Sequence, residues 1–226
     1  MSEGPPRAER LEIAVPVALA CAVYSFGYTL WDLPPQIPYG TFGLILGGDV
    51  LPMLVVPLLV VRFALRRPAA DYGTSVPGLA RFAGGALAGW LALLPLVWLL
   101  SRRPEFQEFY PSPAFPPARQ HAVGLGFLWI LHHAPQLLSV EFLFRGFLLQ
   151  PLARAFGPAL AIAATTLPYV VLHWTKPTLE LAQAAWGGAV FGLVAWRTGS
   201  IWPAFAAHWL VAVSMDALCL VHARTG

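Results

Sequence analysis

Glu141 and Arg145 are charged side chains four positions apart in SVEFLFRGFLL, a stretch that is otherwise almost entirely apolar. Residues four apart share one face of an α-helix, so the carboxylate and the guanidinium can pair there. A charge at the centre of a bilayer costs on the order of 2.5–3.5 kcal/mol, and ionisable residues inside membrane segments usually mark a function. The alternative is an ion pair near a helix end, where an arginine reaches the membrane surface.

Two histidines lie in apolar stretches further along the chain. His173 closes the run in LPYVVLHW, and His208 lies within WPAFAAHWLVAVSMD. By itself, His173 fits an interfacial histidine bonded to a backbone carbonyl, whereas His208 needs a polar partner from elsewhere in the fold. A carboxylate and two imidazoles on three helices could activate water, with glutamate as general base and histidine stabilising the oxyanion. The same groups could ligate a metal. Since the sequence has neither HExxH nor a cysteine cluster, we expect no cofactor.

The elements that must position these side chains are transmembrane helices. Of the 226 residues, 58% are hydrophobic and 11% are charged, whereas soluble domains contain about 25% charged residues. Spanning a bilayer takes about 20 largely apolar residues. We therefore predict an all-α, polytopic transmembrane bundle of about seven helices, in a single integral membrane domain over residues 1–226. The seven predicted segments are 11–31, 41–63, 80–100, 122–147, 157–173, 181–196 and 200–221.

The basic residues predict an orientation for this bundle. With the N-terminus inside, nine of the 14 lysines and arginines lie in inner loops or at the inner membrane edge, and five lie outside. Short inner loops carry the excess of basic residues, so we expect an N-terminus on the inner side of the cytoplasmic (inner) membrane. The formal net charge of +3 is small and scattered, so we expect no nucleic-acid partner.

The order and spacing of these residues resemble the CPBP family of intramembrane proteases, named for CAAX proteases and bacteriocin-processing enzymes and also called the Abi family. Its members show EExxxR, then FxxxH, then HxxxN or HxxxD, on separate transmembrane helices. The similarity covers about residues 120–216, a CPBP-like core, and includes a GxxxG segment followed by a TGSI-type turn. The matching positions are Glu141 with Arg145, Tyr169 with His173, and His208 with Ala212.

This resemblance implies an intramembrane peptidase that cleaves a membrane-associated or prenylated peptide with glutamate- and histidine-activated water. It implies that Glu141 activates the water with help from His173, that His208 stabilises the oxyanion, and that Arg145 holds Glu141 in place. The implied partners are the lipid bilayer and a membrane-associated peptide or protein substrate.

Tyr169 stands where the family's second motif has phenylalanine, and two further positions depart from the motifs. Val140 stands where the family has its first glutamate, and Ala212 stands where it has asparagine or aspartate. Because one residue turns a side chain by about 100° around an α-helix, Glu141 would take over only through a helix rotation, a local distortion or a different approach by the partner helices, and a kink at Pro135 can supply part of that change. These losses support an alternative function as a catalytically impaired scaffold, chaperone or immunity protein that binds a peptide or a partner protease. Solute transport is less favoured, since no paired broken helices are visible.

We give most of the other polar residues no part in catalysis. We interpret His132 as structural, keep His133 as a further cavity candidate, and expect Lys176 and Glu180 in HWTKPTLE to form a solvated loop pair.

Two aspartates also lie within predicted membrane segments. Asp49 in the second segment is a membrane acid that could pair with a histidine. Asp216 lies eight residues beyond His208, about 12 Å along a helix, too far to replace Ala212.

Overall fold

The computed structural model describes residues 11–22, 45–111 and 117–225, and this part of the chain is all-α, with no strand. The predicted fold class is therefore confirmed. Parts of the first two predicted segments, between 23 and 44, lie outside the described residues. The helices of the described chain are α1 (Leu11–Ala22), α2 (45–64), α3 (Leu79–Leu100), α4 (Pro104–Phe109), α5 (Pro117–Gln120), α6 (Ala122–Phe156), α7 (Pro158–Val171), α8 (Thr178–Thr198) and α9 (Ile201–Thr225).

Four of these helices are long and apolar enough to cross a membrane, namely α3, α6, α8 and α9. Two further apolar helices, α1 and α7, are shorter, at 10–17 residues. α7 ends at Val171 rather than at the predicted residue 173, because the chain turns there before Pro177. Within the described residues, every one of the seven predicted segments contains a helix.

Contacts between chain segments define one end of the bundle, which we call the Glu12 end. Glu12 at the start of α1 forms ion pairs with Arg67, just after α2, at 3.1 Å and with Arg154 in the last turn of α6 at 3.7 Å. Near α9, the Ser200 hydroxyl donates to the Ser75 carbonyl before α3 at 2.7 Å. The start of α1, the end of α2 and the end of α6 therefore lie together.

A second set of contacts defines the opposite end, which we call the Tyr110 end. The Ser101 hydroxyl after α3 lies 3.0 Å from His222 Nδ1 near the end of α9. Tyr110, after α4, donates to Glu180 in the first turn of α8 at 2.6 Å. Since α3 and α9 end here and α8 begins here, α8 runs antiparallel to both α3 and α9.

Helix α6 is not regular. Residues Leu128–His133 and Phe142–Leu148 are π-helical, and they flank an α-helical stretch, Ala134–Glu141, with Pro135 in its first turn. A proline lacks the N–H that would continue the ladder, and π-helical turns commonly occur at functional sites. The predicted segment 122–147 is too short, because α6 continues through this distortion to Phe156.

Close helix contacts place the polar residues on neighbouring helices. A Cβ on Gly89 in α3 would lie 2.8 Å from the Ala207 Cβ in α9, and one on Gly188 in α8 would lie 2.7 Å from Thr166 in α7. Small residues allow such approaches between membrane helices. His208 follows Ala207, so the packing of α3 against α9 fixes the backbone that carries it.

Candidate active site

Glu141, Arg145 and His208 form a buried cluster where α6 meets α9. Their exposed fractions are 0%, 1% and 8%. Because an ionised carboxylate only accepts hydrogen bonds, His208 Nδ1–H donates to Glu141 Oε1, at 2.7 Å. Arg145 Nε lies 3.4 Å from Glu141 Oε2. The predicted ion pair is therefore present. Since Arg145 is enclosed, it does not reach the membrane surface as the alternative required.

Tyr169 packs against Arg145 and His208 of this cluster. Its hydroxyl lies 3.2 Å from His208 Nε2, and its ring centroid lies 4.3 Å from the Arg145 guanidinium carbon. Phe191 stacks on the other side of the His208 imidazole, with ring centroids 4.7 Å apart. With its Nδ1 hydrogen on Glu141, neutral His208 has a lone pair on Nε2 that accepts from the Tyr169 hydroxyl.

His173 has its ring orientation set by the backbone. Its Nδ1–H donates to the Tyr169 carbonyl at 2.9 Å, which is the backbone bond expected for this histidine. In the neutral ring, that bond leaves the lone pair on Nε2. His173 Nε2 lies 3.9 Å from Glu180 Oε1, a separation that a water molecule can bridge.

A cavity of about 100 Å³ lies beside these histidines. It is large enough for water molecules or a short stretch of chain. Among the predicted site residues, His173 and His208 line it, whereas Glu141 and Arg145 lie behind its wall. The polar residues of the lining are Tyr110, His133, Gln136, Tyr169, His173, Lys176, Glu180, Gln183 and His208.

Lys176 and Glu180 are not the solvated loop pair that the sequence led us to expect. Glu180 is 5% exposed and lines the cavity, with Lys176 Nζ 2.7 Å from its Oε1. Tyr110 folds over the pair from the α4 side and donates to the same carboxylate at 2.6 Å. Burial, and then the Glu180 carboxylate, raise the pKa of the Tyr110 hydroxyl well above its usual 10.0, so this hydroxyl stays a donor. The expectation failed because the partner Tyr110 is 70 residues away in the chain.

A second carboxylate–imidazole pair lies on another wall. His133 lines the cavity, and its Nε2–H donates to Asp216 Oδ2 at 3.0 Å, where the Trp129 indole also donates. His132 Nδ1 lies 3.1 Å from His133 Nδ1. Asp216 is fully buried behind the histidine, so it does not take the place of Ala212.

The positions that depart from the family's motifs lie in different surroundings. Val140 is 7% exposed and belongs to an apolar cluster, whereas Ala212 lines the cavity one turn after His208. Asp49 hydrogen-bonds to Gln136 rather than to a histidine. Of the changes at Val140 and Ala212, only the latter therefore alters the cavity wall.

No group of three or more His, Cys, Asp or Glu side chains among the described residues is arranged to hold a metal ion. The residues present offer acid–base chemistry in pairs, each a carboxylate with an imidazole. The absence of a cofactor stays a prediction.

Sequence reasoning missed the part of the site contributed by α8. Glu180, Gln183 and Gly187 are spaced three and four residues apart, Ala184 follows Gln183, and all four line the cavity. That spacing places them on one helical face. Two polar residues and a glycine on one face of an apolar helix were the available signal.

A family of known proteins is similar to the segment that carries most of this site. Residues 122–214 match the family described as type II CAAX prenyl endopeptidase Rce1-like. The matched segment begins with α6, ends within α9 and contains Glu141, Arg145, His173 and His208. No curated protein and no solved structure matches the chain. Over this segment the chain is similar to a CAAX-type intramembrane protease family, which supports the resemblance to the CPBP family, and its four long apolar helices are those of an integral membrane protein.

Proposed function

We propose that this protein is an intramembrane peptidase that hydrolyses a peptide bond in a membrane-associated or prenylated peptide. One observation carries the proposal. A fully enclosed carboxylate, Glu141, holds the Nδ1–H of His208, whose ring lines a cavity between the helices. A carboxylate behind an imidazole orients the ring and stabilises the imidazolium that forms when the ring takes a proton.

In this proposal, the base is His208 and Glu141 is its positioning residue. From the sequence we expected Glu141 itself to meet the water, but it is 0% exposed and lies behind the cavity wall. Arg145 supports Glu141, with its guanidinium beside the Glu141 carboxylate and over the Tyr169 ring. His173, with its Nε2 lone pair available, assists by accepting the second hydrogen of the water.

The proposed reaction proceeds in two steps. The water oxygen bonds to the carbonyl carbon while one water proton passes to His208 Nε2, and the carbonyl oxygen becomes an oxyanion. The Tyr169 hydroxyl, displaced from Nε2, donates to that oxyanion. The oxyanion then re-forms the C=O bond as the C–N bond breaks, the electron pair of the C–N bond goes to nitrogen, and the His208 imidazolium returns the proton to this leaving nitrogen.

The test uses purified protein in lipid nanodiscs with a peptide that ends in an S-farnesylated cysteine followed by Val-Ile-Met. We expect the wild-type protein to cleave the peptide, with or without chelator. Glu141→Gln and His208→Gln should each reduce kcat by about 10⁴-fold, the loss seen when a carboxylate–histidine pair is broken. Product formation is measured by mass spectrometry.

His222→Gln is the matched control, because His222 contacts Ser101 outside the cavity lining. This variant should retain wild-type activity. Because Glu141→Gln leaves the buried Arg145 charge without its carboxylate, His173→Ala is measured as well. Full activity of the His208 and His173 variants would contradict the proposal.

A second candidate function is a non-catalytic peptide-binding scaffold, chaperone or immunity protein, and Ala212 is the observation that favours it. Its methyl group lines the cavity beside His208 and donates no hydrogen bond. Wild-type protein that is inert, together with an Ala212→Asn variant that cleaves the farnesylated peptide, would support the scaffold. Val140 is left unchanged in this test, since a glutamate there would be buried in an apolar cluster.

A further inference from the structure

Gln183 lies in the middle of the α8 face that lines the cavity. Glu180 precedes it by one turn and Gly187 follows it by one turn, and all three residues belong to the cavity wall. Ala184, which follows Gln183 in the chain, also lines the cavity and contributes only a methyl group. Gln183 itself is 9% exposed.

The Gln183 carbonyl oxygen is buried and has no hydrogen-bond partner among the described residues. A polar group in this state loses its water without gaining a protein partner, which destabilises the fold. Its polar neighbours are already engaged, since Glu180 accepts from both Tyr110 and Lys176. A buried amide that lines a cavity and lacks a partner is poised to bind a ligand that supplies a hydrogen-bond donor.

We propose that the Gln183 side-chain amide binds a backbone peptide group of the bound chain, accepting from its N–H and donating to a C=O. A primary amide carries one acceptor and two donors. It therefore complements the backbone N–H and C=O groups of a peptide, whereas a single charged group would use only its acceptor or only its donors. The apolar walls from Leu93 and Phe191 accommodate the flanking side chains. The inference deepens the proposed function and rests on it only in taking a peptide as the ligand.

The experiment measures binding rather than cleavage. The probes are the farnesylated peptide and analogues in which each backbone N–H downstream of the farnesylated cysteine is replaced in turn by an ester oxygen. Binding to wild-type protein and to Gln183→Leu is measured in nanodiscs, on a background of His208→Gln that prevents turnover. We expect one ester to bind the Gln183 protein about tenfold more weakly than the peptide, the effect of one hydrogen bond. Gln183→Leu should bind the peptide and that ester equally.

Thermal unfolding of the ligand-free protein provides the second readout. Gln183→Leu removes an unpartnered polar group, so the unfolding midpoint should stay the same or rise. Gln107→Leu is the matched control, because the Gln107 amide donates to the Ser101 carbonyl outside the cavity lining, and its midpoint should fall. If Gln183→Leu keeps the ester discrimination, or lowers the midpoint as Gln107→Leu does, the inference is wrong. Wild-type protein that binds with this discrimination but never cleaves would overturn the proposed peptidase and leave the inference standing.

Discussion

Tyr169 shows how much one hydroxyl can matter in this site. The ring supports Arg145 and packs against His173, with centroids 4.8 Å apart, and a phenylalanine would make the same contacts. The hydroxyl adds a contact that phenylalanine lacks, because it lies 3.2 Å from His208 Nε2 in a residue that lines the cavity. Its bond to His208 is longer than the 2.7 Å bond between His208 and Glu141, so water displaces the tyrosine more readily than the glutamate.

We expect Tyr169→Phe to lower kcat by about 10²–10³-fold, the usual effect of removing one oxyanion donor, with KM unchanged. Tyr72→Phe is the control, because the Tyr72 hydroxyl is buried, lies outside the cavity lining and has no hydrogen-bond partner among the described residues. That change should leave kcat as it is. Steady-state kinetics on the farnesylated peptide provide the measurement, and equal kcat values for the two variants would contradict the role given to Tyr169.

At the scale of elements, the contact between α3 and α9 controls the position of His208. No side chain separates the two backbones at Gly89, where an added Cβ would lie 2.8 Å from the Ala207 Cβ. An added methyl group must therefore push the helices apart next to the histidine. The distances from His208 to Glu141 and Tyr169 would change with that movement.

Gly89→Ala should consequently destabilise the protein by about 1–3 kcal/mol, as overpacking of a dense core does, and should also lower kcat. Gly84→Ala on the same helix is the matched control. A Cβ at Gly84 meets nothing within 4 Å, and alanine is a better helix former than glycine by up to about 1 kcal/mol. Unfolding and activity of both variants are compared in the same lipid. A Gly89→Ala protein that is as stable and active as Gly84→Ala would show that this contact does not position His208.

At the scale of the whole molecule, the charged residues at the two ends of the bundle predict its orientation in the membrane. The Glu12 end carries Arg67, Arg154 and Arg197, and the opposite end carries Tyr110, Lys176 and Glu180. We propose that the Glu12 end faces the cytoplasm, as the distribution of basic residues predicts. The part of the cavity near Lys176 then lies toward the outer side of the membrane.

Single cysteines test this orientation in a background of Cys21→Ala and Cys219→Ala. Arg103→Cys at the Tyr110 end should react with a membrane-impermeant thiol reagent in intact cells. Arg197→Cys at the Glu12 end should react only after permeabilisation. Both arginines are exposed, so lack of access would come from the membrane rather than from burial. The opposite labelling pattern would reverse the assignment.

Much of the fold could be predicted from the sequence, because a bilayer imposes simple rules on a chain. Apolar segments of about 20 residues must be helical to satisfy their backbone groups, which is why each predicted segment contains a helix. The pairing of Glu141 with Arg145 followed from the same local geometry, since four residues span about one turn. Local geometry did not predict the π-helical turn at Phe142–Leu148 or the extension of α6 to Phe156.

The sequence by itself determined which side chains need polar partners inside the membrane, namely one carboxylate, one guanidinium and two imidazoles. The spacing in the chain also predicted that Glu141 pairs with Arg145, whereas only the tertiary structure decided the partners of the histidines. Glu141 lies behind His208 rather than in the cavity, while Glu180 and Gln183 line the cavity, which their spacing in the chain alone did not predict. The reason is physical. Pairing along one helix depends on spacing in the chain, whereas access to a cavity depends on how separate helices pack, and here that packing follows from close contacts such as Gly89 against Ala207.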